Sequence, residues 1–157
     1  MANQHLYFTK TKYYPLKAFF PSLAMSICSI NDIDANEAII LVTGIANPQP
    51  LVEIVNSYST HVQTCIFPDH HQFTLADIQL IDAKFRKVST LSRRILTTEK
   101  DAMRLKLLDF LPDAWRPFLY YIPVSIEFLF EQGENFDSRI LTHVVSTINI
   151  NKKNAKN

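Results

Sequence analysis

The residues best suited to chemistry stand together in an Asp-His-His triplet, Asp69 to His71. An imidazole exchanges protons near neutral pH, and a neighbouring carboxylate can orient the ring and raise its basicity. The triplet lies between a predicted strand and the start of a predicted helix, where ligand sites collect in parallel α/β sheets. The pattern leaves three interpretations open: a structural loop, a metal or phosphate site, and proton transfer.

A second polar cluster, from Thr98 to Asp101, occupies the next junction between a predicted strand and a predicted helix. Parallel strands end at one edge of a sheet, so we expect this cluster to open beside the Asp69 loop. In a structural interpretation, Thr98 caps the helix, while Glu99 and Asp101 favour its positive N-terminus. Lys100 opposes the helix dipole, which indicates contact with an anion that offsets this cost.

Glycine is scarce, since Gly44 and Gly133 are the only two in the sequence. Phosphate-binding loops rely on glycine to let backbone N–H groups approach the anion. Neither GxxxxGK[ST] nor GxGxxG can be written with these residues. We therefore expect that these residues do not form the usual cradle for nucleotide phosphates.

Alternating strand and helix patterns surround the two clusters and predict an α/β fold, with a mainly parallel sheet flanked by helices. The apolar run AIILVTGI, which begins at Ala38, is typical of a strand buried on both faces. Helical spacing spans Pro50 to Ser57, and a second strand pattern spans His61 to Phe67. Thr74, with Asp77 three residues on, predicts a capping box at the start of a helix that runs to Val88.

The remaining elements are predicted in the same way. A strand is expected from Arg94 to Thr98, a helix from Glu99 to Leu108, and one or two strands between Phe118 and Phe130. An amphipathic helix spans Asn135 to Ile150. Near the start, alternation from Leu6 to Thr9 suggests a strand, and the aromatic clusters there are either packed in a core or interface or exposed as a contact platform.

The composition is that of an ordinary globular domain, with 47% hydrophobic and 20% charged residues. A formal net charge of +1 gives no general attraction to nucleic acid. The chain shows no apolar run long enough to span a bilayer and no secretory signal, so we expect a cytoplasmic protein. Cys28 and Cys65 lie in apolar surroundings, which favours buried thiols in a reducing compartment over a disulfide.

The motifs FPDHHxF, from Phe67, and TEKDA, from Thr98, resemble in order and spacing the paired signatures of the tetraacyldisaccharide 4'-kinases. Two further segments resemble the family's turn after the preceding strand and its late strand: TGIANP from Thr43 and YYIPV from Tyr120. Gln72 and Arg104 depart from the residues expected in many relatives, which are proline and lysine.

In that family, a half that binds ATP through a phosphate loop precedes a second half that closes over the nucleotide. The resemblance implies that this chain is the second, C-terminal half of a P-loop-kinase-like protein, with a three-layer α/β/α fold. Residues 1–35 would be a connecting remnant of the preceding half, 36–150 the C-terminal α/β domain and 151–157 a polar tail. The complete protein would sit peripherally at the cytoplasmic face of the inner membrane, through the preceding half.

The resemblance also implies an activity, in which the γ-phosphate of ATP is transferred to the 4'-hydroxyl of a lipid A disaccharide precursor. His70 would pair with a carboxylate from the preceding half to help deprotonate that hydroxyl, with Asp69 in support. The preceding half would bind most of the ATP and Mg²⁺, so the isolated chain is expected to be inactive. The residues expected near the nucleotide or the hinge are Thr98, Glu99, Lys100 and Asp101.

Two other functions stay open. An Asp-His-His triplet with an upstream Asp-x-Asp, here Asp32 to Asp34, is similar to the DHH phosphoesterases, in which carboxylate and imidazole ligands suit Mn²⁺ or Mg²⁺. Alternatively, the chain is a non-catalytic α/β interaction domain in which the triplet is structural.

Overall fold

The computed structural model describes residues 4–24, 33–88 and 92–154. The predictions for Cys28 and Asp32 therefore fall outside the described residues. The chain divides into two compact units, one from Tyr13 to Val124 and the other formed by Met1–Lys12 with Ser125–Asn157. The candidate site lies wholly within the first unit, which we call the α/β unit.

A five-stranded, mainly parallel sheet forms the centre of the α/β unit and confirms the predicted fold class. Its strands are β2 Lys17–Ala18, β3 Ala38–Thr43, β4 His61–Ile66, β5 Arg93–Thr98 and β6 Leu119–Ile122. The strand order is β2-β6-β5-β3-β4, in which β2 pairs antiparallel with β6 and the other three pairings are parallel.

Every residue of β3 is buried, and successive side chains of a strand point to opposite faces of the sheet. Both faces of this sheet are therefore covered, in each case by helices. Ile39 and Leu41 pack with the helix α1, Gln49–Asn56, through its buried Leu51 and Val55. On the other face, Ile40 and Val42 pack with α2, Leu75–Lys87, and α3, Glu99–Leu105. The residues contributed by these two helices are Ile78, Ile81, Phe85 and Leu105.

A buried ion pair joins the starts of β3 and β5. Arg94 Nε lies 2.8 Å from Glu37 Oε1, Arg94 Nη2 lies 3.3 Å from Glu37 Oε2, and both side chains are less than a tenth exposed. The guanidinium also lies over the ring of Tyr120 on β6, 4.7 Å from its centroid. This bidentate pair therefore links three strands at the edge of the sheet opposite to the Asp69 loop.

The capping box predicted at Thr74 is confirmed. The Thr74 hydroxyl accepts a hydrogen bond from Asp77 N, and Asp77 Oδ2 accepts one of 2.7 Å from Thr74 N. Burial raises the pKa of the Asp77 carboxyl, but hydrogen bonds from Thr74 and His71 outweigh it and bring the pKa below its ordinary value of 3.8. Asp77 is therefore ionised at neutral pH and stabilises the start of α2.

The second compact unit contains the long helix α4, Gly133–Asn154, and all but one residue of each of two paired strands, β1, Thr9–Tyr13, and β7, Val124–Phe128. The ring of Tyr7 makes edge contacts with Phe128 and Phe136, and its hydroxyl donates a hydrogen bond of 2.8 Å to Asn135 Oδ1. At Tyr7 the structure thus supports the packing interpretation of the aromatic clusters. Five apolar residues further along α4 are exposed, namely Ile140, Leu141, Val144, Val145 and Ile148.

Three boundary predictions are wrong. The strand expected at Leu6–Thr9 lies instead at Thr9–Tyr13, where most side chains are exposed and leave no hydrophobic alternation to detect. The helix expected to reach Leu108 ends at Leu105. The terminal helix continues to Asn154, into the segment expected to be a polar tail.

The two compact units also divide the chain elsewhere than at the expected positions after residues 35 and 150. β2 pairs with β6, so residues that we expected to form a connecting segment belong to the central sheet.

Within the described residues, none of the helices has both the length and the apolar character needed to span a membrane.

We predict that Glu37→Ala destabilises the chain by about 3–5 kcal/mol, because it removes the carboxylate that pairs in bidentate fashion with the buried Arg94 guanidinium. Urea unfolding followed by circular dichroism measures the loss. The matched control is Asp113→Ala, which breaks the exposed pair with Arg116 and should change stability by less than about 0.5 kcal/mol. Equal losses in the two variants would contradict the assignment of the Glu37 pair as a buried constraint.

We also predict a pH-dependent effect of Asp77→Asn. Because folding lowers the Asp77 pKa, the charge contributes stability that is complete above 3.8 and is lost as the pH falls through the lower folded-state value. The variant should be less stable than the parent chain by about 1 kcal/mol at neutral pH, and the difference should vanish in strong acid. Urea midpoints at several pH values measure this, and a difference independent of pH would contradict it.

Candidate functional site

The candidate site lies at the carboxyl edge of the sheet, where β3, β4 and β5 end in neighbouring loops. Lys100 Nζ, from the start of α3, lies 3.1 Å from Asp69 Oδ1, and Arg104 Nη2 lies 3.2 Å from His70 Nδ1. The two polar clusters therefore lie side by side on one edge of the sheet, as their positions after parallel strands predicted.

Asp101 is the buried centre of this edge. Its side chain is fully buried, and its Oδ2 accepts hydrogen bonds of 2.9 Å from Gly44 N and 2.8 Å from Thr98 Oγ1. Its Oδ1 lies 2.7 Å from Arg104 Nη1, and the same nitrogen donates a hydrogen bond of 3.3 Å to the carbonyl oxygen of Gly44. One carboxylate thus connects the ends of β3 and β5 to the helix α3.

Gly44 lies where a side chain would be crowded. A Cβ atom here would lie 3.2 Å from His71 Cβ, 3.2 Å from the carbonyl oxygen of Pro68 and 3.4 Å from Asp101 Oδ1. The absence of a side chain lets the loop after β3 lie against the loop after β4 while its N–H reaches Asp101. Gly44 is therefore part of the packing between the loops.

His70 is the exposed member of the site. Its backbone adopts a φ of 60°, a left-handed conformation uncommon for residues other than glycine, and its side chain is 73% exposed. Nδ1 contacts Arg104, while Nε2 lies 3.5 Å from Asp69 Oδ2. The ring is held between a cation and a carboxylate and still faces solvent, a geometry suited to exchanging a proton with a bound molecule.

Asp69 is held as a carboxylate. The hydrogen bond from Lys100 is the main cause that lowers the Asp69 pKa below its ordinary value of 3.8, partial desolvation opposes it, and the backbone N–H of His70 lowers it further. The anion that Lys100 contacts is thus the Asp69 carboxylate, and a contact of this kind was indicated by its position in the first turn of α3.

His71, the second histidine of the triplet, has a structural role. Its Nε2 lies 2.9 Å from Asp77 Oδ2, and its ring stacks on Phe67 at 4.7 Å and meets the edge of Phe73 at 5.4 Å. Only 23% of the side chain is exposed. Of the three interpretations of the triplet, the structural one therefore applies to His71. Asp69 and His70 are the two members that remain candidates for a functional role.

The other residues of the second cluster differ in their surroundings. Thr98 is the N-cap of α3, since its hydroxyl accepts a hydrogen bond of 3.0 Å from Asp101 N while donating to the Asp101 carboxylate. Glu99 is partly exposed at the same edge. Arg104 was not predicted as a site residue, although its place three residues after Asp101 puts both on one face of a helix.

The described residues do not fit a metal centre or a phosphate cradle. They contain no group of three or more His, Cys, Asp or Glu side chains arranged to hold a metal ion. Asp34 precedes β3, whereas Asp69 follows the parallel neighbour β4, and a six-residue strand separates its two ends by about 17–20 Å. Gly44 N, the one glycine N–H at this edge, is bonded to Asp101. This geometry disfavours the phosphoesterase hypothesis.

Comparison with known proteins gives one consistent family. The family model described as tetraacyldisaccharide-1-P 4'-kinase matches residues 9–145. A protein from Phocaeicola vulgatus named tetraacyldisaccharide 4'-kinase is 36% identical over 98% of this chain and 40% of its own length. Proteins of that name from Parabacteroides distasonis and Bacteroides thetaiotaomicron are 36% identical over 94% and 38% identical over 90% of the chain, respectively.

The chain spans about 40% of the length of these curated relatives. No solved structure matches it. The family model covers most of the sequence and includes both polar clusters. On this evidence, the chain belongs to the tetraacyldisaccharide 4'-kinase family.

Proposed function

We propose that this chain supplies the proton-transfer side of a lipid A 4'-kinase site, in which the γ-phosphate of ATP passes to the 4'-hydroxyl of a lipid A disaccharide precursor. The observation that carries the proposal is the position of His70, whose exposed ring is held between Asp69 and Arg104 at the carboxyl edge of the sheet. Family membership supplies the reaction class, and the geometry supplies a residue able to take part in it.

In this proposal, His70 accepts the proton of the sugar hydroxyl as that oxygen attacks the phosphorus atom. Asp69 is ionised, so its carboxylate stabilises the imidazolium that forms. Lys100 holds Asp69 in place through their ion pair, at 3.1 Å. A positioned base of this kind contributes about 10²–10⁴-fold to the rate, and the rest comes from charge stabilisation around the phosphate.

Binding of the nucleotide phosphates and Mg²⁺ requires groups in addition to the described residues. We propose that Thr98, Glu99 and Lys100 lie nearest to the nucleotide, at the start of α3. Asp101 is fully buried, so it supports the site through Gly44 and Arg104 and does not touch the nucleotide. Mg²⁺, when bound, neutralises charge on the transferring phosphate, and residues 4–24, 33–88 and 92–154 contain no cluster of three or more His, Cys, Asp or Glu side chains that could hold it.

We further propose that the acceptor is presented from a membrane surface, because an acylated disaccharide resides in a lipid layer. In the complete protein this surface is the cytoplasmic face of the inner membrane. The exposed His70 ring is compatible with an acceptor hydroxyl that arrives from outside the α/β unit.

We predict that His70→Ala, made in a complete kinase that contains this chain, lowers kcat by at least about 10²-fold. The side chain is 73% exposed, so the free energy of unfolding should change little. ATP-dependent phosphorylation of the disaccharide measures kcat, and urea unfolding measures stability.

The matched control is His61→Ala, since His61 is an exposed histidine at the start of β4, the end opposite to His70. Its turnover should equal that of the parent enzyme. Unchanged turnover in His70→Ala would instead support a non-catalytic role for the triplet.

We also predict that the purified 157-residue chain does not phosphorylate the disaccharide, because its sequence contains neither of the glycine-rich motifs, GxxxxGK[ST] and GxGxxG, that cradle phosphates with backbone N–H groups. The assay follows transfer of labelled phosphate from ATP. Activity should appear when the chain is joined to the ATP-binding half of a relative. Robust transfer by the 157-residue chain alone would contradict this assignment of parts.

A further inference from the structure

Arg104 makes a contact with His70 that determines where the imidazole carries its hydrogen. Arg104 Nη2 lies 3.2 Å from His70 Nδ1. A guanidinium has only N–H donors and no acceptor, so in this contact Nδ1 must be the acceptor. An imidazole whose Nδ1 accepts carries its hydrogen on Nε2, the nitrogen that faces Asp69 at 3.5 Å.

The guanidinium is itself fixed from the buried side. Arg104 Nη1 lies 2.7 Å from Asp101 Oδ1 and 3.3 Å from the carbonyl oxygen of Gly44, and 16% of the Arg104 side chain is exposed. The planar group therefore has one nitrogen anchored to the core of the site and the other directed at the ring. Through Arg104, the buried Asp101 carboxylate therefore constrains the position of the exposed His70 ring.

We propose that Arg104 is a positioning residue that fixes the tautomer and orientation of His70, and thereby makes Nδ1 the atom that accepts the substrate proton. The role of Nδ1 as proton acceptor rests on the proposed function, whereas the tautomer follows from the Arg104 contact alone. The Arg104 N–H occupies the lone pair of Nδ1 in the same way that a reacting O–H would. The substrate hydroxyl therefore takes the place of one Arg104 nitrogen, while the other stays bound to Asp101.

The proton and electron pairs balance in this scheme. The 4'-hydroxyl proton moves to Nδ1, the sugar oxygen forms a bond to the γ-phosphorus atom, and the bond from that atom to the bridging oxygen breaks to release ADP. His70 is then an imidazolium whose Nε2–H faces the Asp69 carboxylate. Transfer of the added proton to solvent restores the original tautomer, because Arg104 can again donate to Nδ1.

Nitrogen-15 NMR of the imidazole rings tests the tautomer directly, in this chain and without substrate. We expect His70 to show an unprotonated Nδ1 and a protonated Nε2 at a pH where the ring is neutral. The exposed His61 should show averaged signals and serves as the internal reference. In Arg104→Met, which removes every donor, His70 should become averaged like His61. A protonated Nδ1 in the parent chain, or no change in Arg104→Met, would overturn the proposal.

Kinetics in the complete kinase provide the second readout. Arg104→Met should lower kcat by at least about tenfold and leave KM within about twofold, because ring orientation changes while substrate binding does not. Arg104→Lys keeps N–H donors on a single nitrogen, so it should restore part of kcat. Arg86→Met, which removes an exposed arginine on α2, is the matched control and should leave kcat unchanged.

The two arms separate failure of this inference from failure of the proposed function. If the tautomer is fixed but His70→Ala is fully active, His70 is not catalytic and the Arg104 contact has only a structural role. An averaged His70 ring in the parent chain together with inactive His70→Ala would keep the function and reject the role of Arg104. Loss of folding in Arg104→Met would be seen in its spectrum, and Arg104→Lys would then decide the kinetic arm. A kcat above that of His70→Ala supports the role of Arg104, and a loss as large as that of His70→Ala overturns it.

Discussion

The carboxylate of Asp101 is the interaction on which the rest of the site depends. A buried charge is costly unless it is paired and hydrogen-bonded, and here the N–H of Gly44, the hydroxyl of Thr98 and the guanidinium of Arg104 all meet it. These donors come from the ends of β3 and β5 and from α3. Because the loss of any one of them would leave the charge poorly compensated, the loops are held in one arrangement.

Exposure increases outward from this buried centre. The Asp101 side chain is 0% exposed, that of Arg104 16% and that of His70 73%. The fixed end of the chain of contacts thus lies in the core, and the reactive end lies in solvent. Such a gradient suits a group that must be held in one orientation and still meet a substrate from outside.

Much of the fold follows from local patterns in the sequence. The apolar run at Ala38–Thr43, the capping box at Thr74 and the alternation of strands with helices are all governed by nearby residues, and the structure confirms them. The order of parallel strands also explains why Asp69 and Lys100 meet, since both follow the carboxyl ends of strands in one sheet.

What the sequence did not reveal depends on long-range contacts. β1 is mostly exposed and owes its existence to pairing with β7, more than a hundred residues later, so no hydrophobic period marks it. Likewise, Arg104 carries no local sign of its contact with His70, which lies 34 residues away. Gly44 was recognised as a turn residue, but its close approach to His71 and Pro68 arises only when the two loops pack.

We propose that His70, held by Asp69 and Arg104, receives the proton of the sugar hydroxyl. The decisive test is a structure of a complete kinase that contains this chain, with the disaccharide acceptor bound. We expect the 4'-oxygen to lie about 2.6–3.2 Å from His70 Nδ1, with one Arg104 nitrogen displaced. An acceptor hydroxyl bound away from the Asp69 loop, with Arg104 still in contact with Nδ1, would contradict it.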